Sequence, residues 1–454
     1  MGEEQEQKFH QLTEEPVSRM ISHLAVPCII SMLVTAFYNM ADTFFVGMLR
    51  STAATGAVGV VFSMMAVIQA VGFFFGHGSG NFISRELGRR NTDSASNMAA
   101  TGFFSALFTG LLICVFGEIF LTPLAAFLGS SPTILPYAKD YLRVILIGAP
   151  WMTASLVLNN QLRFQGNAIY GTIGIASGAV LNIGLDPLLI FVFDLGVAGA
   201  AWATIISQFA GFCLLLAGCT RGATLHIHIS RVQLKWSYFK LIIQGGLPSL
   251  ARQSLASVAT ICLNHAAMPY GDAAIAAMGV VQRITTFGAS AMIGFGQGFQ
   301  PVCGFNYGAR LYHRVKEGFW FCVKVAAVFL LVIGALGFAF APQLIALFRD
   351  DPGVIAIGTV ALRFQRVTFF FQAWITMSNM MLQTIGRTVP ATFVAMARQG
   401  IFFIPLVWLL SLSPLGLLGV QMAQSVSDLL TLAAAVPIQL YVLRQMSQMQ
   451  PAKI

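Results

Sequence analysis

The sequence predicts an all-α polytopic membrane protein: twelve transmembrane helices in two six-helix bundles related by a parallel internal repeat. Three observations predict it. Charged residues make up 9% and hydrophobic residues 57% of the 454, and mean hydropathy is +0.76, whereas a soluble globule carries about 25% charge. Apolar runs of the roughly 20 residues that a spanning helix needs recur along the whole chain. Finally, the sequence matches itself at an offset of 220 residues.

The stretch MGEEQEQKFHQLTEEP is acidic and polar, without the basic n-region or cleavage site of a secretory signal. The first apolar run, near 22–48, is expected to act as the insertion signal and carries Pro27 and Asp42. Runs follow near 52–77, 94–117 and 136–162, the last containing Pro150. The fifth, near 168–192, holds Asn182 and the Asp186-Pro187 pair; the sixth, near 196–219, holds Thr204 in GAAWATIISQF. The polar stretch 221–238 separates the halves, as a segment along the cytoplasmic face or a plain linker. The second half repeats the pattern near 239–268, 273–299, 318–341, 354–383, 388–411 and 415–443. The expected organisation is a first lobe, 1–220, a cytoplasmic linker, 221–238, and a second lobe, 239–454.

The repeat rests on residues that constrain the backbone. Gly59 falls on Gly279, Gly78 on Gly298, Gly88 on Gly308, Arg90 on Arg310, Pro132 on Pro352 and Gly166 on Gly386, while Gly196 and Gly199 fall on Gly416 and Gly419. Each half has an even number of spans and so enters from the same side. Such parallel repeats commonly build transporters whose halves rock against each other.

The net charge of +9 is distributed by side rather than gathered in a domain. With the N-terminus inside, Lys8, Arg19, Arg85, Arg89, Arg90, Arg163, Arg221, Arg231, Lys235, Lys240, Arg310, Arg314, Lys316, Arg387, Arg444 and Lys453 fall in cytoplasmic segments. The opposite side has Arg50, Lys139, Arg143 and Arg349. This positive-inside bias places both termini in the cytoplasm, in a multi-pass protein of the cytoplasmic membrane. No basic domain stands apart to hold nucleic acid. Nor is there a GxxxxGK[ST] loop, an HExxH metal motif or a nucleophile–base pair, so neither ATP-driven transport nor an intramembrane enzyme is expected. The seven cysteines form no CxxC pair, and His226 and His228 lack an acidic or thiol partner, so no cofactor is expected.

Carboxylates inside apolar runs are the informative exceptions. An aspartate at bilayer depth costs about 2.5–3.5 kcal/mol even on lenient insertion scales, so such acids usually face a cavity or a partner. Asn182 and Asp186, four residues apart, share a helix face. Pro187 frees the carbonyl of Ile183 beside them. Thr204 supplies a hydroxyl from the next span, and Asp42 joins if the first span packs against the fifth and sixth. This oxygen-only set suits Na⁺ or a carboxyl pair sharing a proton. The second half does not copy it: Asn182 falls on Phe402 and Asp186 on Leu406. Its polar groups are Arg252, Gln253, Asn264, Arg283, Arg398, Gln399 and Asp428. Asp428 either pairs structurally with Arg398 or touches substrate.

LAVPCIISMLVTAFYNMADTFFVG, GHGSGNFISRELGRRN, LRFQGNAIYGTIGIASGAVLNIGLDPLLIF and QGFQPVCGFNYGAR, in that order, resemble the multidrug and toxic compound extrusion (MATE) transporters, in a bacterial branch, over nearly all of 18–445. The resemblance implies two helical bundles around a cleft and export of amphipathic organic compounds driven by inward Na⁺ or H⁺. It also implies a cation site at Asp42, Asn182, Asp186 and Thr204. The arginines of the second lobe argue against a purely cationic substrate range. The expected partners are small amphipathic molecules and membrane lipid, with the chain acting as a monomer. The alternative is a flippase of lipid-linked precursors from the wider superfamily.

Overall fold

In the computed structural model, residues 3–221 and 225–449 are described; Gly222, Ala223 and Thr224 of the expected linker, and Lys453, lie outside them. Among the described residues the chain is helical, with no strand. A short helix, α1 (Glu3–Glu14), precedes the first long ones: α2 (Val17–Gly47), α3 (Thr52–Gly88), α4 (Thr92–Ile119), α5 (Leu121–Phe127), α6 (Leu135–Phe164), α7 (Ala168–Pro187) and α8 (Gly196–Arg221). The second half runs α9 (Trp236–Ala267), α10 (Asp272–Gly308), α11 (Tyr312–Ala339), α12 (Ala341–Phe348), α13 (Pro352–Thr368), α14 (Phe371–Thr384), α15 (Thr388–Met396), α16 (Phe403–Leu412) and α17 (Leu417–Gln448).

All twelve expected runs fall on helix. Nine helical spans among the described residues are long and apolar enough to cross a membrane, and α13 with α14 forms a tenth, bent by 59°. The helices α9 and α10 are 32 and 37 residues long but are absent from that set; the polar residues read from their sequence dilute their apolarity. Pro187 and the segment containing Arg398 introduce a further irregularity. Wide π-helical turns, Leu188–Val192 and Ala397–Ile401, interrupt the fifth and eleventh spans. A proline lacks the N–H that continues the ordinary ladder, and Phe193 N–H bonds instead to the Leu188 carbonyl at 3.0 Å.

The duplication is written into the backbone. α3 and α10 are both 37 residues long, and α4 and α11 both 28. Left-handed residues recur at the same offset: Arg90 and Arg310 (φ 60° and 61°), Gly166 and Gly386 (both 83°), Gly196 and Gly416 (56° and 54°). The first two pairs close helix ends in the same way. The Asn91 N–H reaches back to the Glu86 carbonyl and that of Leu311 to Asn306, both at 2.8 Å; Asn167 to Leu162 and Arg387 to Leu382 repeat this at 2.9 Å. A left-handed residue after the last turn permits this bond, which satisfies a carbonyl that the helix leaves open.

The chain divides into two compact units whose boundaries cross the first helix of each repeat. Unit 1 comprises 1–11 and 30–246, and unit 2 comprises 12–29 and 247–454. Within unit 1, the start of α9 lies against α3: a Cβ on Gly78 would strike the Ile242 backbone. Within unit 2, the start of α2 lies against α10 in the same way, with Gly298 on the Ala25 backbone. Pro27 and Pro248 stand close to the two crossings. The core of unit 1 is built around Ile68, Tyr141, Leu142, Ile145 and Ala149, and that of unit 2 around Val281, Leu362 and Val407.

The N-terminal stretch and the linker are both more structured than polarity alone suggested. Leu12 is wholly buried. The linker is docked on unit 1: Leu225 N–H donates to Gln165 Oε1 (3.1 Å), Gln233 N–H to Thr101 Oγ1 (3.0 Å), and Arg231 meets Asp93 at 3.3 Å.

Candidate functional site

Close approach of two helices sets the geometry of the site in unit 1. A Cβ on Gly178 of α7 would come to 3.0 Å from the Ser207 carbonyl of α8, and one on Gly211 of α8 to 2.9 Å from the Gly174 carbonyl of α7. Small residues at such spacing let membrane helices meet backbone to backbone. Asn182 and Asp186, one turn apart on α7, therefore lie beside Thr204 on α8. The part of α2 in unit 1 closes the third side, with Ser31 donating to Thr172 Oγ1 at 3.0 Å. Asp42 thereby comes within electrostatic reach of Asp186.

Asn182, Asp186 and Thr204 are buried, with Asp186 at 0% exposure, and Asp42 is half-buried. Thr204 Oγ donates to the Ala200 carbonyl at 3.0 Å, which leaves its lone pairs open. The others have no such engagement. Asp42 Oδ1, both Asp186 oxygens and both polar atoms of the Asn182 amide are buried without a hydrogen-bond partner. Buried polar atoms in folded proteins are nearly always paired; here several orphans share one site. Their oxygens make a donor set that fits a small hard cation or a shared proton.

Sequence reasoning missed two tyrosines. Tyr38 on α2 and Tyr141 on α6 are buried and interact electrostatically with Asp42 and Asp186; the side chains of Thr204 and Gln208 neighbour Tyr38. The Tyr141 hydroxyl neighbours Thr204. Aromatic residues in apolar runs carry no signal of their own, so only their proximity to the acids reveals them. The site opens into a cavity of about 100 Å³ whose polar lining includes Thr35, Gln69, Ser155, Ser207 and Gln208.

Unit 2 gathers its polar groups differently. Arg398, in the π-helical turn, donates from Nε to Asp428 Oδ1 at 2.8 Å; Gln424 donates to the same oxygen at 3.0 Å, and Ser427 to the Arg398 carbonyl at 2.7 Å. Asp428 is 1% exposed. Arg252 bonds Asn379 Oδ1 at 3.1 Å. Gln253, Asn264 and Gln399 are half-buried and Arg283 is exposed. Arg366 escaped the sequence reading. It is 5% exposed, donates to Thr285 Oγ1 at 3.0 Å and lies 4.2 Å over the Phe369 ring. Its position inside the tenth apolar run was signal enough by the argument that selected the aspartates. Arg163, in the last turn of α6, is 3% exposed, bonded to Asn160, with its guanidinium over Phe164.

Comparison with known proteins agrees with this architecture. The MatE family profile matches residues 27–188 and again 248–409, once in each half. The multidrug export protein MepA of Staphylococcus haemolyticus is 28% identical over 416 residues, covering 91% of both chains. MepA of Staphylococcus aureus strain NCTC 8325 is 26% identical over 440 residues, covering 97% of both. The outward-facing structure of a multidrug resistance MATE family transporter of the MOP superfamily superposes with a TM-score of 0.91 at 26% identity, covering 97% of this chain and 98% of that one.

Proposed function

We propose a function for this multi-pass membrane protein from one premise: the chain belongs to the MatE family. It is a secondary active multidrug exporter that moves amphipathic organic compounds out of the cytoplasm by antiport against Na⁺ or H⁺, acting as a monomer. The export activity named for its staphylococcal relatives supports the direction and substrate class. The observation that carries the coupling is the group of buried, unpartnered oxygens on Asp42, Asn182 and Asp186 in unit 1.

Two carboxylates within reach of each other at low dielectric repel and lack hydration. A cation or proton held between them relieves both penalties. The loaded and empty forms of the site therefore favour different packings of α2 against α7 and α8. An ion drives transport only by binding two conformations unequally, and this site has the elements for that. Asp42 lies on the helix whose beginning belongs to unit 2, so a shift of α2 at the site is carried along one continuous helix. Pro27, near the crossing, is where such a helix bends most readily. Alternating exposure of the substrate site follows in the manner of other parallel-repeat transporters. The arginines of unit 2 argue against a purely cationic substrate range.

Reconstituted vesicles with a Na⁺ or a pH gradient imposed one at a time test the proposal. Export responds to one of the two, and Asp42→Asn or Asp186→Asn removes the response at equal protein level. Wild-type rates in both variants would sink it. Orientation is checked with single cysteines and an impermeant thiol reagent. Sites near 88–92 and 221–236 stay unlabelled from outside intact cells, and those near 130–134 and 350–353 react.

A further inference from the structure

An amphipathic helix resting on a protein body normally turns an apolar i, i+3, i+4, i+7 stripe inward. Helix α1 breaks this rule on one face. Glu4, Gln7, Lys8 and Gln11 have that spacing, all are polar, and all four border a cavity of about 320 Å³. Its other wall is Asn167 and Tyr170 from the beginning of α7, with Arg221 from the end of α8. All of these residues belong to unit 1. The helix is held over the cavity by contacts on either side. The Arg90 guanidinium lies 4.4 Å from the Phe9 ring centroid, and Lys8 Nζ donates to the Gly166 carbonyl at 3.2 Å.

The geometry points to a binding site for a phosphate oxyanion, carried by a lipid headgroup or free in solution, between Lys8 and Arg221. Pockets that hold small ligands begin at about 300 Å³, so the space suits a headgroup rather than a single water. Two cations against one acid, Glu4, leave one net positive charge, which matches a singly charged phosphodiester. The amides of Gln7 and Gln11 and the Tyr170 hydroxyl supply neutral donors for the remaining oxygens. The walls lie at the ends of two spans and beside the start of a third, which is the depth of a phospholipid headgroup.

The half-buried Lys8 ammonium donates one hydrogen bond out of three, to the Gly166 carbonyl, and the exposed Arg221 borders the cavity. Burial holds Lys8 below the usual lysine range, with Glu4 acting in the opposite sense. A desolvated cation with a single neutral acceptor gains most from an incoming anion, because charge-assisted bonds are roughly twice as strong as neutral ones. Nothing in this inference depends on the coupling site.

The test uses the full chain purified in a neutral detergent. Native mass spectrometry follows retention of phosphatidylglycerol against diacylglycerol, which lacks the phosphate, and calorimetry follows inorganic phosphate. The wild type binds one phosphatidylglycerol about tenfold more tightly than diacylglycerol, the worth of one charge-assisted bond. Lys8→Gln and Arg221→Gln each remove most of that preference, the second without altering α1. Glu4→Gln strengthens binding about twofold, as expected for one partly screened charge. Phosphate binding with the same ranking of variants, and no lipid preference, assigns the site to the free ion. Equal affinity for both lipids with no phosphate binding overturns the proposal, as does an undiminished preference in Lys8→Gln and Arg221→Gln.

Discussion

Unit 1 and unit 2 share a frame and differ in what they do with buried charge. α3 matches α10 in length and α4 matches α11, and their left-handed residues fall at one offset with nearly the same φ. Yet Asp42 and Asp186 have no ion-pair partner among the described residues of unit 1, while Asp428 of unit 2 is bound to Arg398 and Gln424. Duplication preserved the turns and close helix approaches, which admit few residues. It left the polar groups free to diverge. A buried charge that has found its counter-charge is part of the scaffold; one that has not is available to something that comes and goes.

The largest effect that would break this comparison is on transport. Asp186→Asn is expected to abolish gradient-driven export while leaving the protein at least as stable in detergent, since it removes a buried unpaired charge. Asp428→Asn is expected to retain gradient dependence. A reversal of the two outcomes in vesicle efflux would move the coupling site to unit 2.

Next in size is stability. Arg398→Met strands Asp428 at 1% exposure and is expected to cost about 3–5 kcal/mol, with Arg398→Met combined with Asp428→Leu recovering most of it. Thermal unfolding in detergent reads this. If the single variant unfolds like the wild type, the pair is not structural.

The shared frame is sharpened by Gly78→Ala and Gly298→Ala. Each places a Cβ on a backbone, Ile242 in one unit and Ala25 in the other. Each is expected to destabilise by about 1–3 kcal/mol, the usual penalty of overpacking. A large effect in one unit alone would show that the two crossings are not equivalent. The smallest change belongs to the exposed Arg231–Asp93 pair: Asp93→Asn should shift stability by no more than about 0.5 kcal/mol. A larger loss would mean that docking of the linker depends on this contact.

The sequence by itself determined the apolar runs and the twofold repeat, and it singled out Asn182, Asp186 and Thr204 as candidates, with Asp42 added on condition that the first span packs against the fifth and sixth. Each of these depends on local quantities. Transfer of a segment into lipid depends on the segment's own composition, helix spacing fixes which neighbours share a face, and a glycine or proline constrains its own backbone. Only the tertiary structure placed Tyr38 and Tyr141 at the acids, joined Arg398 to Asp428, buried Arg163 and Arg366, and divided α2 and α9 between the two units. It also turned an acidic-looking N-terminal stretch into a helix with a polar face over a cavity. Lipid accepts any apolar face equally well, so hydropathy predicts that a helix spans but not which neighbour it meets. That choice is made by close packing and by polar partners far apart in the chain.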